Sequence, residues 1–260
     1  MKRLLYVSDI HSHNTILQKT LVDKNFSPDD ALVVGGDAFD RGKEFSETAN
    51  FLLSLHEQKR LIYIRGNHED LLYLLIQQLS SGMDPISVAM RHYSNGTWQT
   101  ALDIAHMEES EAIRFPLELV SRVRNSRVYK ELLSSCVDYL EIGNKYILTH
   151  AYIPCIEKGF TYQYNQNWKE ASPLEWNRAR WYNGVKLALE DKIRVPDRCV
   201  VVGHMHVSQY HKKYENRGSE WGLDSDFTPF YCEESGIIAT DACTAYSKKM
   251  NILEFFDEEL

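Results

Sequence analysis

The sequence predicts an α/β fold, and three observations predict it. To about residue 80, short apolar runs alternate with segments of helical periodicity. Acidic, amide and imidazole side chains stand just after several of those runs. Beyond about residue 137, apolar runs bounded by turn signals take over, so the later half leans towards antiparallel β.

Leu4–Val7 is a nearly continuous apolar run, the pattern of a strand buried on both faces. Asn14–Lys24 places Ile16, Leu17, Thr20 and Leu21 at helical spacing, with Asn14 or Ser12 as its cap. Ala31–Val34 is a second buried strand, stopped by Gly35-Gly36. Phe45, Ala49, Leu52 and Leu53 form one face of a second helix. Leu61–Ile64 is a third strand and Glu69–Leu79 an apolar helix. This order predicts parallel strands joined by crossover helices, and in such sheets ligands bind beyond the carboxyl ends of the strands.

From about residue 81 to 135 the chemical motifs stop while helical spacing continues, broken at Gly82, Pro85, Gly96 and Pro116. We read a helical insertion, packed over the site mouth, within one domain spanning residues 1–260. Val137–Ile142 and Tyr146–Thr149 then form a hairpin turning at Gly143-Asn144. Pro173–Trp181 reads as a short helix and Cys199–Val202 as a buried strand. Tyr210–Tyr214, Ile237–Thr240 and Asn251–Phe255 read as the remaining strands.

The formal net charge of -8 argues against broad nucleic-acid binding, which needs a basic surface. It does not exclude anionic substrates, because bound dications dominate a local field. The five cysteines include no C-x-x-C pair, as expected for reduced thiols in a cytoplasmic protein. No apolar run is long enough to span a membrane, and the run ending at Val7 is too short for a signal-peptide core. Oligomeric state leaves no mark in the sequence.

Five motifs carry the chemistry: Asp9-Ile10-His11, Gly36-Asp37-Ala38-Phe39-Asp40-Arg41-Gly42, Arg65-Gly66-Asn67-His68-Glu69, Thr149-His150 and Gly203-His204-Met205-His206. Asp9 and His11 are two apart, and in extended chain both reach one ion. Asp37 offers a carboxylate that can bridge two ions. Asn67 offers an amide oxygen; His150, His204 and His206 offer imidazole nitrogens, the last two sharing a side if their segment is extended. Such a donor set suits two divalent ions, and hydrolysis of phosphate esters is the chemistry it implies. Mixed oxygen and nitrogen donors favour Mn, then Fe or Zn, over Mg or Ca. Guanidinium forks match phosphoryl oxygens, so Arg41 is the first candidate to bind phosphate and Arg178 the second, with Arg180 the alternative in that helix. Glu69 reads as structural, a carboxylate at a helix N-terminus. The aromatic stretch of Tyr162, Tyr164, Trp168, Trp176, Trp181 and Tyr182 reads first as cover for the core, with stacking on a nucleobase or contact with a phosphopeptide as the alternative.

These motifs together resemble the calcineurin-like metallophosphoesterase superfamily, and the second and third resemble its phosphoprotein phosphatase branch. Asn95-Gly96 with Trp98 and Thr100 is similar to a segment of the bacterial and phage-type members, and Glu175-Trp176-Asn177-Arg178 to their phosphate-binding arginine segment. The likeness runs from residue 4 to about residue 245. It implies a four-layer α/β/β/α sandwich with two central mixed sheets. It implies one ion held by Asp9, His11, Asp37 and His206, and a second held by Asp37, Asn67, His150 and His204. His68 becomes the general acid, with Asp40 holding its ring; Asn67 and Arg41 would also meet the phosphate. Attack in line by a hydroxide bridging the two ions follows. The expected substrate is a phosphorylated protein at serine or threonine, or a small phosphoester. Hydrolysis of dinucleoside polyphosphates of the diadenosine tetraphosphate type is the alternative. A non-catalytic scaffold of the same fold would be expected to lose a ligand or the acid, and here every position is filled. The departures are His206, a second histidine where many protein phosphatases keep only one, Ser8 and Ser12 where glycines are common, Ala151-Tyr152 where small residues often occur, and Asp241-Ala242-Cys243-Thr244 in place of a glycine-rich turn.

Overall fold

The computed structural model describes residues 3–159 and 161–259. Their strands are β1 (Arg3–Val7), β2 (Ala31–Val34), β3 (Leu61–Tyr63), β4 (Tyr139–Ile142), β5 (Tyr146–Thr149), β6 (Ile156–Lys158), β7 (Thr161–Gln163), β8 (Cys199–Val202), β9 (Phe230–Cys232), β10 (Ile237–Ala239) and β11 (Leu253–Phe256). Their helices are α1 (Asn14–Asp23), α2 (Phe45–Glu57), α3 (Asn67–Ser80), α4 (Pro85–Tyr93), α5 (Thr97–Ala105), α6 (Glu109–Arg114), α7 (Pro116–Asn125), α8 (Pro173–Ala179), α9 (Gly184–Leu189), α10 (Ser208–Glu215) and α11 (Thr244–Ser247).

Two mixed sheets form. One runs β11-β1-β2-β3, with β1, β2 and β3 parallel and β11 antiparallel. The other runs β4-β5-β8-β10-β9, with β5, β8 and β10 parallel and the two edge strands antiparallel. Side-chain alternation stacks them. Leu4 and Tyr6 of β1 pack with Val33, Leu148, Val201 and Phe255 between the sheets. Leu5 and Val7 face the other way, with Leu32, Val34, Leu52 and Leu75 under the helices. Val200 and Val202 turn from the inter-sheet core towards Trp176, Val185 and Tyr210. The result is helices, sheet, sheet, helices, the four layers expected.

The segment from 81 to 135 is helical. Trp98, Ala101, Leu102, Leu119 and Val123 join the core of α2 and α3, and the start of α5 meets Asp40 and Arg41. Two expectations need correction. Helix α1 is not capped by Asn14 or Ser12: His13 is its N-cap, with no side-chain cap bond. Glu44 supplies the acceptor instead, taking the Thr15 N–H at 2.8 Å and its hydroxyl at 2.5 Å. Tyr210–Tyr214 is not a strand but part of α10, because Val207, Tyr210, His211 and Tyr214 lie at helical spacing and pack on one face. Helices α9 and α11, the β6–β7 hairpin and strand β9 carried too little periodicity to be read. No helix among the described residues is long and apolar enough to cross a membrane.

Candidate metal centre

All five motifs follow the carboxyl end of a strand: β1, β2, β3, β5 and β8 in turn. Parallel pairing sets β1, β2 and β3 side by side, and β5 beside β8. The two groups of strand ends meet over one site. Tyr6 donates its hydroxyl to the Thr149 carbonyl, and Ser8 meets Thr240 at 3.1 Å, closing the gap between the sheets there.

Asp37 is the centre. Its carboxylate belongs to two clusters of potential ligand atoms, one with His11 and His68, the other with His150 and His204. Oδ2 lies 3.8 Å from His11 Nε2 and 3.7 Å from His68 Nε2, while Oδ1 lies 3.4 Å from His150 Nε2. Oδ1 also accepts the His68 backbone N–H at 3.0 Å, at the start of α3, where the helix favours a carboxylate. Gly66 makes this approach possible: a Cβ there would sit 2.1 Å from Asp37 Oδ1.

The histidines are aimed by main-chain carbonyls. His11 Nδ1 meets the Phe39 carbonyl at 2.9 Å, and His150 Nδ1 meets that of Gly35 at 2.8 Å, which leaves each Nε2 facing Asp37. Glu69 ties the loops together. It accepts N–H groups from Gly66, Asp37 and Ala38 and the Tyr63 hydroxyl, so its structural role is to fix the second motif against the third. His68 Nδ1 stands 2.7 Å from Asp40 Oδ2, and Arg41 bridges His68 Nε2 and His11 Nε2 at 3.1 and 3.2 Å. With Nδ1 donating to Asp40, Nε2 accepts from Arg41; a proton on Nε2 requires that guanidinium to move.

Backbone strain gathers here. Asp9, His11, Asp37, Asp40, Arg41 and His204 all have positive φ, at a cost of order 1–3 kcal/mol each. Asp9 and His11 are therefore not alternate residues of extended chain, and neither are His204 and His206. Left-handed turns, not strand geometry, direct these side chains.

Burial, the largest cause throughout, pushes the carboxyls of Asp37 and Asp9 up and the imidazoles of His11 and His204 down. It pushes His150 down to about 4. Burial also lowers His68, but the Asp37 and Asp40 carboxylates outweigh it and leave its pKa above 6.5. A neutral His150 has one ring proton, committed to Gly35. Its bare Nε2 then faces Asn67 Oδ1 at 2.8 Å and Asp37 Oδ1 at 3.4 Å. Two bare acceptors and a carboxyl that burial makes costly to ionise converge here, surroundings a cation resolves, so the residues fit divalent metal ions.

Other expected residues lie outside these two clusters. Asp9 accepts the His204 N–H at 2.9 Å and stands beside the second cluster. His206 turns to Glu220, 3.1 Å away, and packs on Trp221. Arg178 is exposed and lies 3.7 Å from Glu157. Arg180 is buried and bonded to Asp70 and Asp138, tying α8 to the start of α3.

A family model, calcineurin-like phosphoesterase, matches residues 2–239. The chain belongs to that family. It is therefore a metal-dependent phosphoester hydrolase. No curated protein matches it. Among solved structures it is similar to a cold-active protein-tyrosine phosphatase of the psychrophile Shewanella sp., at 16% identity and a TM-score of 0.53, covering 99% of this chain and 76% of that one. It also matches a serine/threonine phosphatase of Saccharomyces cerevisiae, at 12% identity and a TM-score of 0.43, covering 98% and 80%. A third match, assigned provisionally as a diadenosine tetraphosphatase, has 15% identity and a TM-score of 0.49, covering 100% and 91%. At 16% identity the likeness to the cold-active phosphatase shows the fold alone.

Four residues near the site are not among the site residues the sequence predicts. Thr97 and Thr100 hydrogen-bond to Asp40; the similarity of the segment holding Asn95-Gly96 was the available signal. Asp241 is buried, its carboxyl pushed up by burial and then by Asp9. Trp181 is 48% exposed with its ring edge-on to His204, whereas Trp168, Trp176 and Tyr182 of the same aromatic stretch do cover the core.

Proposed function

We propose that the protein is a phosphomonoesterase of the serine/threonine protein-phosphatase kind, working with two divalent ions, Mn first. Asp9, His11 and Asp37 would hold one ion; Asp37, Asn67, His150 and His204 would hold the other. His206 reaches the first ion only by leaving Glu220. Bound there, the ions supply Lewis-acid activation of the attacking water and neutralise phosphoryl charge. Arg41 and Asn67 bind non-bridging phosphate oxygens, the guanidinium by its fork. His68 delivers a proton from Nε2 to the ester oxygen as the P–O bond breaks, releasing the alcohol. Asp40 keeps the Nδ1 proton in place and favours the charged ring.

One observation carries this reading. His68 is held between Asp40 and Asp37, its Nδ1 2.7 Å from Asp40 Oδ2 and its Nε2 3.7 Å from the carboxylate at the centre of both clusters. A serine or threonine alkoxide leaves poorly without a proton, and such an acid contributes roughly 10²–10⁴-fold.

A second reading, hydrolysis of dinucleoside polyphosphates, is favoured by the exposed rings beside two of the motif histidines. Trp181 lies against His204 and Trp221 against His206, and exposed aromatics offer nucleobases a stacking surface. Turnover of a phosphoserine peptide and of diadenosine tetraphosphate by the Mn-loaded protein separates the two. The first reading expects the larger kcat/KM on the peptide; the reverse order supports the second. No metal-dependent turnover of either ends both.

A further inference from the structure

Asp40 is held by more than His68. Its Oδ2 accepts the Thr97 hydroxyl at 2.6 Å as well as His68 Nδ1 at 2.7 Å, and its Oδ1 accepts the Thr100 hydroxyl at 2.5 Å. The Thr100 oxygen also accepts the Asp40 N–H at 3.2 Å, so its hydroxyl is fixed as donor and acceptor to one residue. Asp40 and both threonines are buried. A buried carboxylate needs its lone pairs met, and three donors from two directions leave it one orientation. Asp40 itself sits at φ 70°, a backbone state that needs outside support. The contact continues at Gly96, at φ 85°, where a Cβ would lie 2.4 Å from the Arg41 nitrogen. Thus Gly96, Thr97 and Thr100, at the start of α5, clasp Asp40-Arg41 from the helical segment that carries no other chemistry.

We propose that Thr97 and Thr100 are positioning residues for acid catalysis, locking the Asp40 carboxylate so that His68 presents Nε2 to the leaving oxygen. The helical segment between residues 81 and 135 then has a catalytic purpose, reached through two hydroxyls. The inference rests on the phosphomonoesterase reading of the site. It sets the two threonines apart from packing residues, because a hydroxyl that aims the acid matters only where the leaving group needs a proton.

The test uses the full chain loaded with Mn. Thr97→Val and Thr100→Val remove each hydroxyl at nearly constant volume; Thr97→Ser and Thr100→Ser keep it. Each variant is assayed on an alkyl phosphate and on p-nitrophenyl phosphate, whose leaving group departs unprotonated. Each valine variant is expected to lower kcat on the alkyl ester about tenfold, the scale of one lost bond to a charged group. The loss on p-nitrophenyl phosphate should be at least fivefold smaller, KM should change less than kcat, and serine should restore most of the alkyl-ester rate. Equal losses on both esters, or serine variants no better than valine, overturn the assignment. Absence of turnover of either ester by the wild-type protein sinks the phosphomonoesterase reading and this inference with it.

Discussion

The two sheets contribute unequally to one site. Around the first sheet, the side chains are braced from several sides. Glu69 accepts four hydrogen bonds, Asp40 is held by His68, Thr97 and Thr100, and Asp37 is gripped by the start of α3. Around the second sheet, His150 borrows its orientation from Gly35 of the first. His206 leans on a partly exposed Glu220, and Trp181 and Trp221 stand half in solvent. The difference teaches a division of labour. The proposed acid and bridging carboxylate sit where geometry is over-determined; the second sheet completes the ligand set and offers an adaptable rim.

If that contrast holds, Asp37→Asn has the largest effect, since both clusters share its carboxylate. Activity should fall by roughly 10³-fold or more, and elemental analysis should find less bound metal. Retained metal with retained activity would remove Asp37 from the centre.

His68→Asn comes next. It should lower turnover of alkyl esters by roughly 10²-fold or more while sparing nitrophenyl esters. Burial lowers the His68 pKa, but Asp37 and Asp40 raise it further, and the net position is above 6.5. The acid works protonated, so the wild-type rate on an alkyl ester should decline as pH rises through a value above 6.5. A pH profile of His68→Asn should lack that limb.

Glu69→Ala probes bracing without touching the proposed chemistry. It strands three buried N–H groups and the Tyr63 hydroxyl, and denaturant unfolding should register a loss of about 3 kcal/mol or more. The matched change on the second sheet, Glu220→Ala, frees His206 from a half-exposed pair. It should alter stability by less than about 1 kcal/mol and activity by about twofold. Similar costs for the two glutamates would erase the contrast between the halves.

Legibility followed burial and length in both halves, so Tyr146–Thr149 and Cys199–Val202 of the second sheet were as plain as the strands of the first. Leu4–Val7, Ala31–Val34 and Leu61–Ile64 could be read as strands because burial on both faces writes unbroken apolar runs. Around the second sheet, Val207, Tyr210, His211 and Tyr214 carry a helical period under a β-rich composition, and α10 was misread. The short β6, β7 and β9 are too brief for any period to show.

The sequence by itself determined the α/β class, the parallel strands and the donor types at their ends. Local propensity and alternation are written in neighbouring residues, so they survive without coordinates. Only the tertiary structure decided which donors converge. It bent Asp9, His11 and His204 into left-handed turns, spent Arg180 on Asp70 and Asp138, and brought Thr97 and Thr100 to Asp40 across some sixty residues of chain. Those outcomes depend on side chains distant in sequence competing for the same hydrogen bonds in buried space, and no periodicity records who wins.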